Sequence, residues 1–346
     1  MSFKLKSCGL AVLASATLAL AAAPGAWGSN CAGTSVGLTP LNDLAAGKYM
    51  GLFQGGLYPG GVNTPPAAHN QEGLARAAAI QPLSPSGLPR SDGKIVLLSI
   101  GLSHTTQEFC STSGREPCNS WTFMGRAAAD PNVDKTHLVI ANGAQGGQET
   151  STWDSPTDPN YDRVRDTVLV PKGVTEKQVQ AVWVKLANAR PTVSLPASGA
   201  DAYNLERGLA DVSRALKVRY PNLQMAFFSS RSYAGYATTD QNPEPYAYES
   251  GFAVKWLVEA QIDQMAGQGI DPLAGNLDFG AVAPWLGWSF YPWANGLTPR
   301  SDGLTWTCND FSSDGTHPAQ SGESKFGQKL LQFFLNSPYT APWFRK

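Results

Sequence analysis

Residue types able to carry out hydrolysis concentrate at two places in this 346-residue chain. The first lies near the C-terminus, where Asp310-Phe311-Ser312-Ser313-Asp314-Gly315-Thr316-His317-Pro318 sets a carboxylate three residues before an imidazole. An imidazole becomes an effective general base when a carboxylate fixes its tautomer and stabilises the imidazolium, and this spacing lets both side chains point into one cleft. The same residues also read as an Asx-turn at Asp314, with His317 capping the next helix. The second place is Ile100-Gly101-Leu102-Ser103-His104-Thr105-Thr106, where Ser103 follows an aliphatic run. Gly101 permits a sharp turn there, and helix-starting amides beyond Ser103 can stabilise negative charge. The competing reading makes Ser103 a cap or a solvated loop residue.

These groups need a scaffold that brings chain ends together. Residues 95–100 form an unbroken aliphatic run, as expected of a parallel strand buried on both faces. Further strands are predicted over residues 137–141, 179–186, 224–229 and 285–293. Helical material is expected over 121–129, before Val179, over 202–220, 249–267 and 320–335. In the 202–220 segment Leu205, Leu209, Val212, Leu216 and Val218 lie near helical spacing and leave one face apolar. Strands alternating with helices predict an α/β fold, with a parallel sheet of about five strands covered on both faces. In such a sheet ligands bind at the carboxyl ends of the strands, where Ser103 lies. Residues 29–93 hold many Gly and Pro and little periodicity, which predicts a loop-rich extension packed on the main domain at 94–346.

Over roughly residues 94–335 the chain resembles the SGNH (GDSL-like) hydrolase superfamily. The resemblance lies in order and context: a serine after the first strand, Gly/Asn loops after the next two, and Asp-x-x-His before the last helix. It implies a three-layer flavodoxin-like fold and a serine esterase in which Ser103 attacks an acyl carbonyl, His317 moves the proton and Asp314 orients His317. It also implies an oxyanion hole built from the Ser103 amide, a glycine after the second strand and an asparagine after the third. In Asn142-Gly143-Ala144-Gln145-Gly146-Gly147 the first choice is Gly146 and the second Gly147; Asn188 supplies the carboxamide. The chain departs from the family pattern at Leu102, where an aspartate is usual, and lacks a clean Gly-x-Asn-Asp in the third block. Ser103, in Gly101-Leu102-Ser103-His104-Thr105, does not sit in the Gly-x-Ser-x-Gly elbow of another esterase fold.

Three further residues are candidates for substrate contact. His104 adjoins the nucleophile, with a purely local hydrogen bond as the alternative. Arg231, after the fourth strand, could hold an anionic group or anchor a loop through carbonyls. Trp288 belongs to an aromatic segment with Trp285, Phe290, Tyr291 and Trp293 whose flat faces suit sugars or aryl groups, although alternate positions must face the core. Gln107 and Glu108, one turn further along, read as solvated or capping residues, with a role in supporting the site from behind as the alternative.

Lys4 and Lys6, an apolar stretch from 8 to 23 and small residues around 26–28 have the order of a signal peptide, residues 1–28, with an uncleaved anchor as the alternative. The four cysteines beyond it favour two disulfides in an exported chain, and Cys110–Cys118 with Cys31–Cys308 is the expected pairing. Net charge is −1 with 15% charged residues, which leaves no electrostatic footprint for nucleic acid or anionic membrane. No CxxC or HExxH spacing occurs, so neither metal nor cofactor is expected. The expectation is thus a secreted or periplasmic esterase acting on an acylated small molecule or polysaccharide, with O-acetyl groups on carbohydrate suggested by analogy. A lipase or thioesterase of the same fold, or a non-catalytic carbohydrate-binding protein retaining it, are the alternatives.

Overall fold

The computed structural model describes residues 1–2 and 28–346; the apolar stretch of the expected leader, with Cys8, lies outside the described residues. Five strands form one sheet: β1 (Ile95–Gly101), β2 (Leu138–Asn142), β3 (Val179–Lys185), β4 (Met225–Phe228) and β5 (Trp285–Trp288). All neighbours are parallel, in the order β2-β1-β3-β4-β5. That order is the flavodoxin-like one, in which the ligand crevice opens between the first and third strands.

Burial on both faces explains the aliphatic strands. Val96, Leu98, Ile100, Val182, Val184 and Phe228 join one core, while Leu97, Ala181, Trp183 and Phe227 join another on the opposite face. Helices α5 (Asp201–Arg219) and α6 (Tyr246–Met265) cover the first face. On the second lie α2 (Ser103–Phe109), α3 (Phe123–Ala129) and α7 (Gln320–Asn336), the last through Phe326, Leu330 and Phe334. The short α4 (Pro159–Val164) fills the connection before β3.

Two expectations change. The region 29–93 is not all loop: α1 (Ala67–Ala79) is a 13-residue helix. Its alanines favour helix, but its buried positions are His69, Gly73 and Ala77, too small or polar to register as an apolar stripe. Their small size lets it sit against Trp285, whose ring would lie 2.6 Å from a Cβ added at Gly73. The fifth strand also ends at Trp288 instead of running to residue 293, because its partner β4 ends at Phe228.

Both disulfides are the expected ones, Cys31–Cys308 and Cys110–Cys118. The first ties the start of the described chain to the segment preceding Asp314.

Candidate active site

The nucleophile candidate is placed by the way β1 ends. Thr105, one turn into α2, accepts the Leu102 amide at 3.2 Å and donates its hydroxyl to the Lys185 carbonyl at 2.6 Å, pinning the helix start to the end of β3. Gly101 is required for that approach: an added Cβ would meet Thr105 Oγ1 at 2.2 Å and the Lys185 oxygen at 2.4 Å.

The histidine arrives on a tight loop. The Ser312 amide donates to the His317 carbonyl at 2.7 Å, and Gly315 turns the chain at φ +63°, with its Cα so close to the Tyr236 carbonyl that a side chain would collide. Ser103 Oγ and His317 Nε2 then stand 2.9 Å apart, and His317 Nδ1 lies 2.6 Å from Asp314 Oδ2. The amides of Thr316 and His317 both donate to Asp314 Oδ1 at 2.9 Å. Burial would raise the Asp314 carboxyl, but the His317 ring and these two amides outweigh it and hold it at about 2. An ionised carboxylate at Nδ1 keeps the proton there and leaves Nε2 as the acceptor facing the serine hydroxyl. The geometry is therefore that of a serine, a base and an orienting carboxylate.

Around the serine lies a cleft of about 280 Å³, lined among others by His104, Gly147, Asn188, Arg231, Asn242 and His317. A larger polar cavity of about 670 Å³ adjoins it and is lined by Gly146, Asn142, Arg115, Arg163 and Lys172. Gly146 faces the serine from that side, with a Cβ built on it 3.6 Å from Ser103 Cβ.

The sequence matches no family model and no curated protein. Among solved structures the chain is similar to a protein of Arabidopsis thaliana, at 13% identity and TM-score 0.37, covering 70% of this chain and 98% of that one. It is similar to an extracellular lipase from Streptomyces rimosus at 14% identity and TM-score 0.32, covering 70% and 99%. A carbohydrate acetylesterase from Sinorhizobium meliloti matches at 15% identity and TM-score 0.32, covering 69% and 97%. What this chain can do is set by its own side chains.

Most of the residues singled out in the sequence meet at the cleft. Gly146 faces Ser103, and Gly147 lines the same cleft as the serine. Asn188 accepts the Thr150 hydroxyl at 2.6 Å and the Thr150 amide at 3.4 Å on its Oδ1, so its NH₂ is the group left for the cleft. His104 donates from Nε2 to the Thr316 carbonyl at 2.6 Å, the local hydrogen bond foreseen as its alternative. Desolvation, helped by Arg231, Lys185 and His317, holds that ring well below the usual imidazole range and therefore neutral.

Trp288 is a correction. It is buried in the core, and its indole donates to the Leu57 carbonyl at 2.9 Å. Trp285, Trp293 and Trp306 are buried too, each with its N–H bound to a carbonyl or a carboxylate, so the aromatic segment is core and not substrate surface. Glu108 is another: instead of being solvated it is 1% exposed on the buried face of the serine helix, chelating Lys185 Nζ with both oxygens at 2.6 Å. Burial pushes the carboxyl up and the ammonium down while their attraction opposes both shifts. Lys185 also lies 4.0 Å over the Phe326 ring. Its place as the last residue of a buried strand was the available signal, since a lysine there requires a partner. Asn242, unmarked in the sequence, lines the cleft and donates to the Asn188 carbonyl at 3.3 Å.

Proposed function

We propose that this chain is a divergent SGNH-type serine esterase of the exported kind, hydrolysing carboxylic esters through an acyl-enzyme on Ser103. The observation that carries it is the unbroken Ser103, His317, Asp314 relay at 2.9 and 2.6 Å, assembled from residues 214 and 3 positions apart. In the first step Ser103 Oγ bonds to the acyl carbon and its proton passes to His317 Nε2. The tetrahedral oxyanion falls among the Ser103 amide, a glycine amide of the 146–147 pair and the Asn188 carboxamide. Its collapse expels the alcohol, which takes the proton from His317. Water then repeats the sequence: His317 removes its proton, the oxygen attacks the acyl-enzyme, and Ser103 regains a proton as the acid departs.

A cleft of about 280 Å³ supports a short acyl group on a hydroxylated alcohol over a long acyl chain, because a fatty acyl tail needs a long apolar groove. O-acetyl groups on carbohydrate are the proposed substrate class. Export is supported by two disulfides and by the leader-like N-terminus.

Replacing Ser103 with Ala, or His317 with Ala, tests this directly. Each should lower 4-nitrophenyl acetate hydrolysis by at least about 10³-fold while circular dichroism stays unchanged. Undiminished turnover by the folded Ser103→Ala protein rejects the assignment.

A further inference from the structure

We infer that the cleft beside Ser103 is a carboxylate-binding site centred on Arg231, so that the substrate is an ester bearing a carboxylate close to its scissile bond. The hydrolytic half of this statement rests on the serine-esterase reading; the binding half does not.

Arg231 follows β4 and reaches the same cleft as Ser103 and His317. It is 2% exposed, yet its guanidinium makes no hydrogen bond and no ion pair among the described residues, and its Nε is enclosed without a partner. A guanidinium stays protonated and presents five donors in a planar fork, so burying it without acceptors is costly. Its own acidic surroundings do not repay that cost. Glu108, Glu244 and Asp314 lie close enough to act on its charge, but each is spent elsewhere. Glu108 gives both oxygens to Lys185. Glu244 accepts the Ala234 and Tyr248 amides and the Trp293 indole. Asp314 accepts two amides and the His317 ring.

The remaining acceptor must come from the cleft. A carboxylate offers two coplanar oxygens that match the fork, and the roughly 280 Å³ of space admits one small ring or a short acyl chain. The lining also contains one carboxylate, Glu149, whose oxygens are bonded to the Ser151 hydroxyl and the Ala189 amide. On the far side of Gly146 the adjoining cavity carries Arg115, Arg163 and Lys172 against a single acid, Glu116, which Lys172 already pairs. The cavity beyond Gly146 is thus cationic in a chain of net charge −1, and the cleft itself holds the unpartnered guanidinium of Arg231 beside a carboxylate already engaged elsewhere, as suits an acidic saccharide. The carboxylate can reside on the alcohol, as in an O-acylated uronic acid, or on the acyl group, as in a hemiester.

The test has a binding arm and a kinetic arm on the full chain. Ser103→Ala protein titrated calorimetrically with D-glucuronate and D-glucose should bind glucuronate at least about tenfold more tightly, and adding Arg231→Met should remove the difference. Equal affinity for the two sugars, or an undiminished preference after Arg231→Met, overturns the proposal. In the kinetic arm, acetylated glucuronate against acetylated glucose probes the alcohol side. A 4-nitrophenyl hemisuccinate against 4-nitrophenyl butyrate probes the acyl side. The acidic member of one pair should be preferred at least about tenfold in kcat/KM, and the preference should collapse towards one in Arg231→Met. Because the guanidinium makes no hydrogen bond or ion pair among the described residues, Arg231→Met should melt no lower than wild type. A lower melting temperature with parallel loss on acidic and neutral esters would instead make Arg231 a structural prop and overturn the proposal. Should that variant not fold, competitive inhibition of the wild-type enzyme by glucuronate and not glucose decides the question. Wild-type protein inert towards every ester would sink the esterase reading, while the calorimetric arm would still decide the binding one.

Discussion

The imidazoles of His104 and His317 lie face to face, their centroids 4.9 Å apart and their planes 16° from parallel. His104 is held neutral and pinned through Nε2, so it backs the His317 ring as a fixed flat surface. His104→Ala should therefore lower kcat about tenfold or more, with little change in KM, because His317 loses the wall that keeps Nε2 aimed at Ser103. His104→Phe, which keeps a flat ring, should recover part of the loss, and steady-state kinetics on 4-nitrophenyl acetate separates the two. Equal loss in both variants would assign the effect to the Thr316 hydrogen bond and not to the stacking.

Asp314 ties activity and acid stability to one group. Its folded-state pKa, about 2, lies below the ordinary value of 3.8. The stabilisation it contributes is therefore complete above pH 3.8 and is lost as pH falls through about 2. Asp314→Asn should remove that part of the acid dependence, seen as a flatter melting-temperature profile between pH 4 and 2. The same substitution should cut kcat by about 10²–10⁴-fold, because the carboxamide no longer fixes the tautomer.

Glu206, on α5, works in the opposite sense. It is 4% exposed without a hydrogen-bonding partner among the described residues. Burial, followed by the carboxylates of Asp271 and Glu259, raises it from 4.5 to about 8. An acid with a raised folded-state pKa stabilises fully below its unfolded value and loses that contribution as pH climbs through the folded one. Wild-type stability should decline between pH 5 and 8, by roughly 1–4 kcal/mol. Denaturant melts of Glu206→Gln should be flatter over that range.

The Cys31–Cys308 bridge spans 277 positions and fixes the segment that leads into the Asp314 loop. Cys31→Ser should cost about 2–4 kcal/mol in urea unfolding, since a long closed loop restricts the unfolded chain. If that segment depends on the bridge, reducing agent should lower hydrolysis at temperatures below global unfolding.

Much of the architecture was legible before any coordinates. Runs such as residues 95–100 are aliphatic because both faces of the sheet are buried, and Leu205, Leu209, Val212 and Leu216 mark a helix with one core face. The pair Asp314 and His317 was legible because both residues sit on one loop. Contacts that depend on small residues or on remote partners were not. Helix α1 packs through Gly73 and Ala77, and neither has the bulk to announce a buried face. Glu108 looks solvated until Lys185, 77 positions away, is seen to lie against it. Trp288 looks like a sugar platform until the Leu57 carbonyl is found bound to its indole. In each case the deciding partner came from another part of the chain.

Activation of the Ser103 hydroxyl is what the proposed hydrolysis requires, and a fluorophosphonate probe reads it without knowledge of the substrate. Labelling of the wild-type protein, followed by peptide mapping, should place the adduct on Ser103 alone, and the reaction should slow by orders of magnitude in His317→Ala. An adduct on another serine, or equal labelling of the two proteins, would contradict the account.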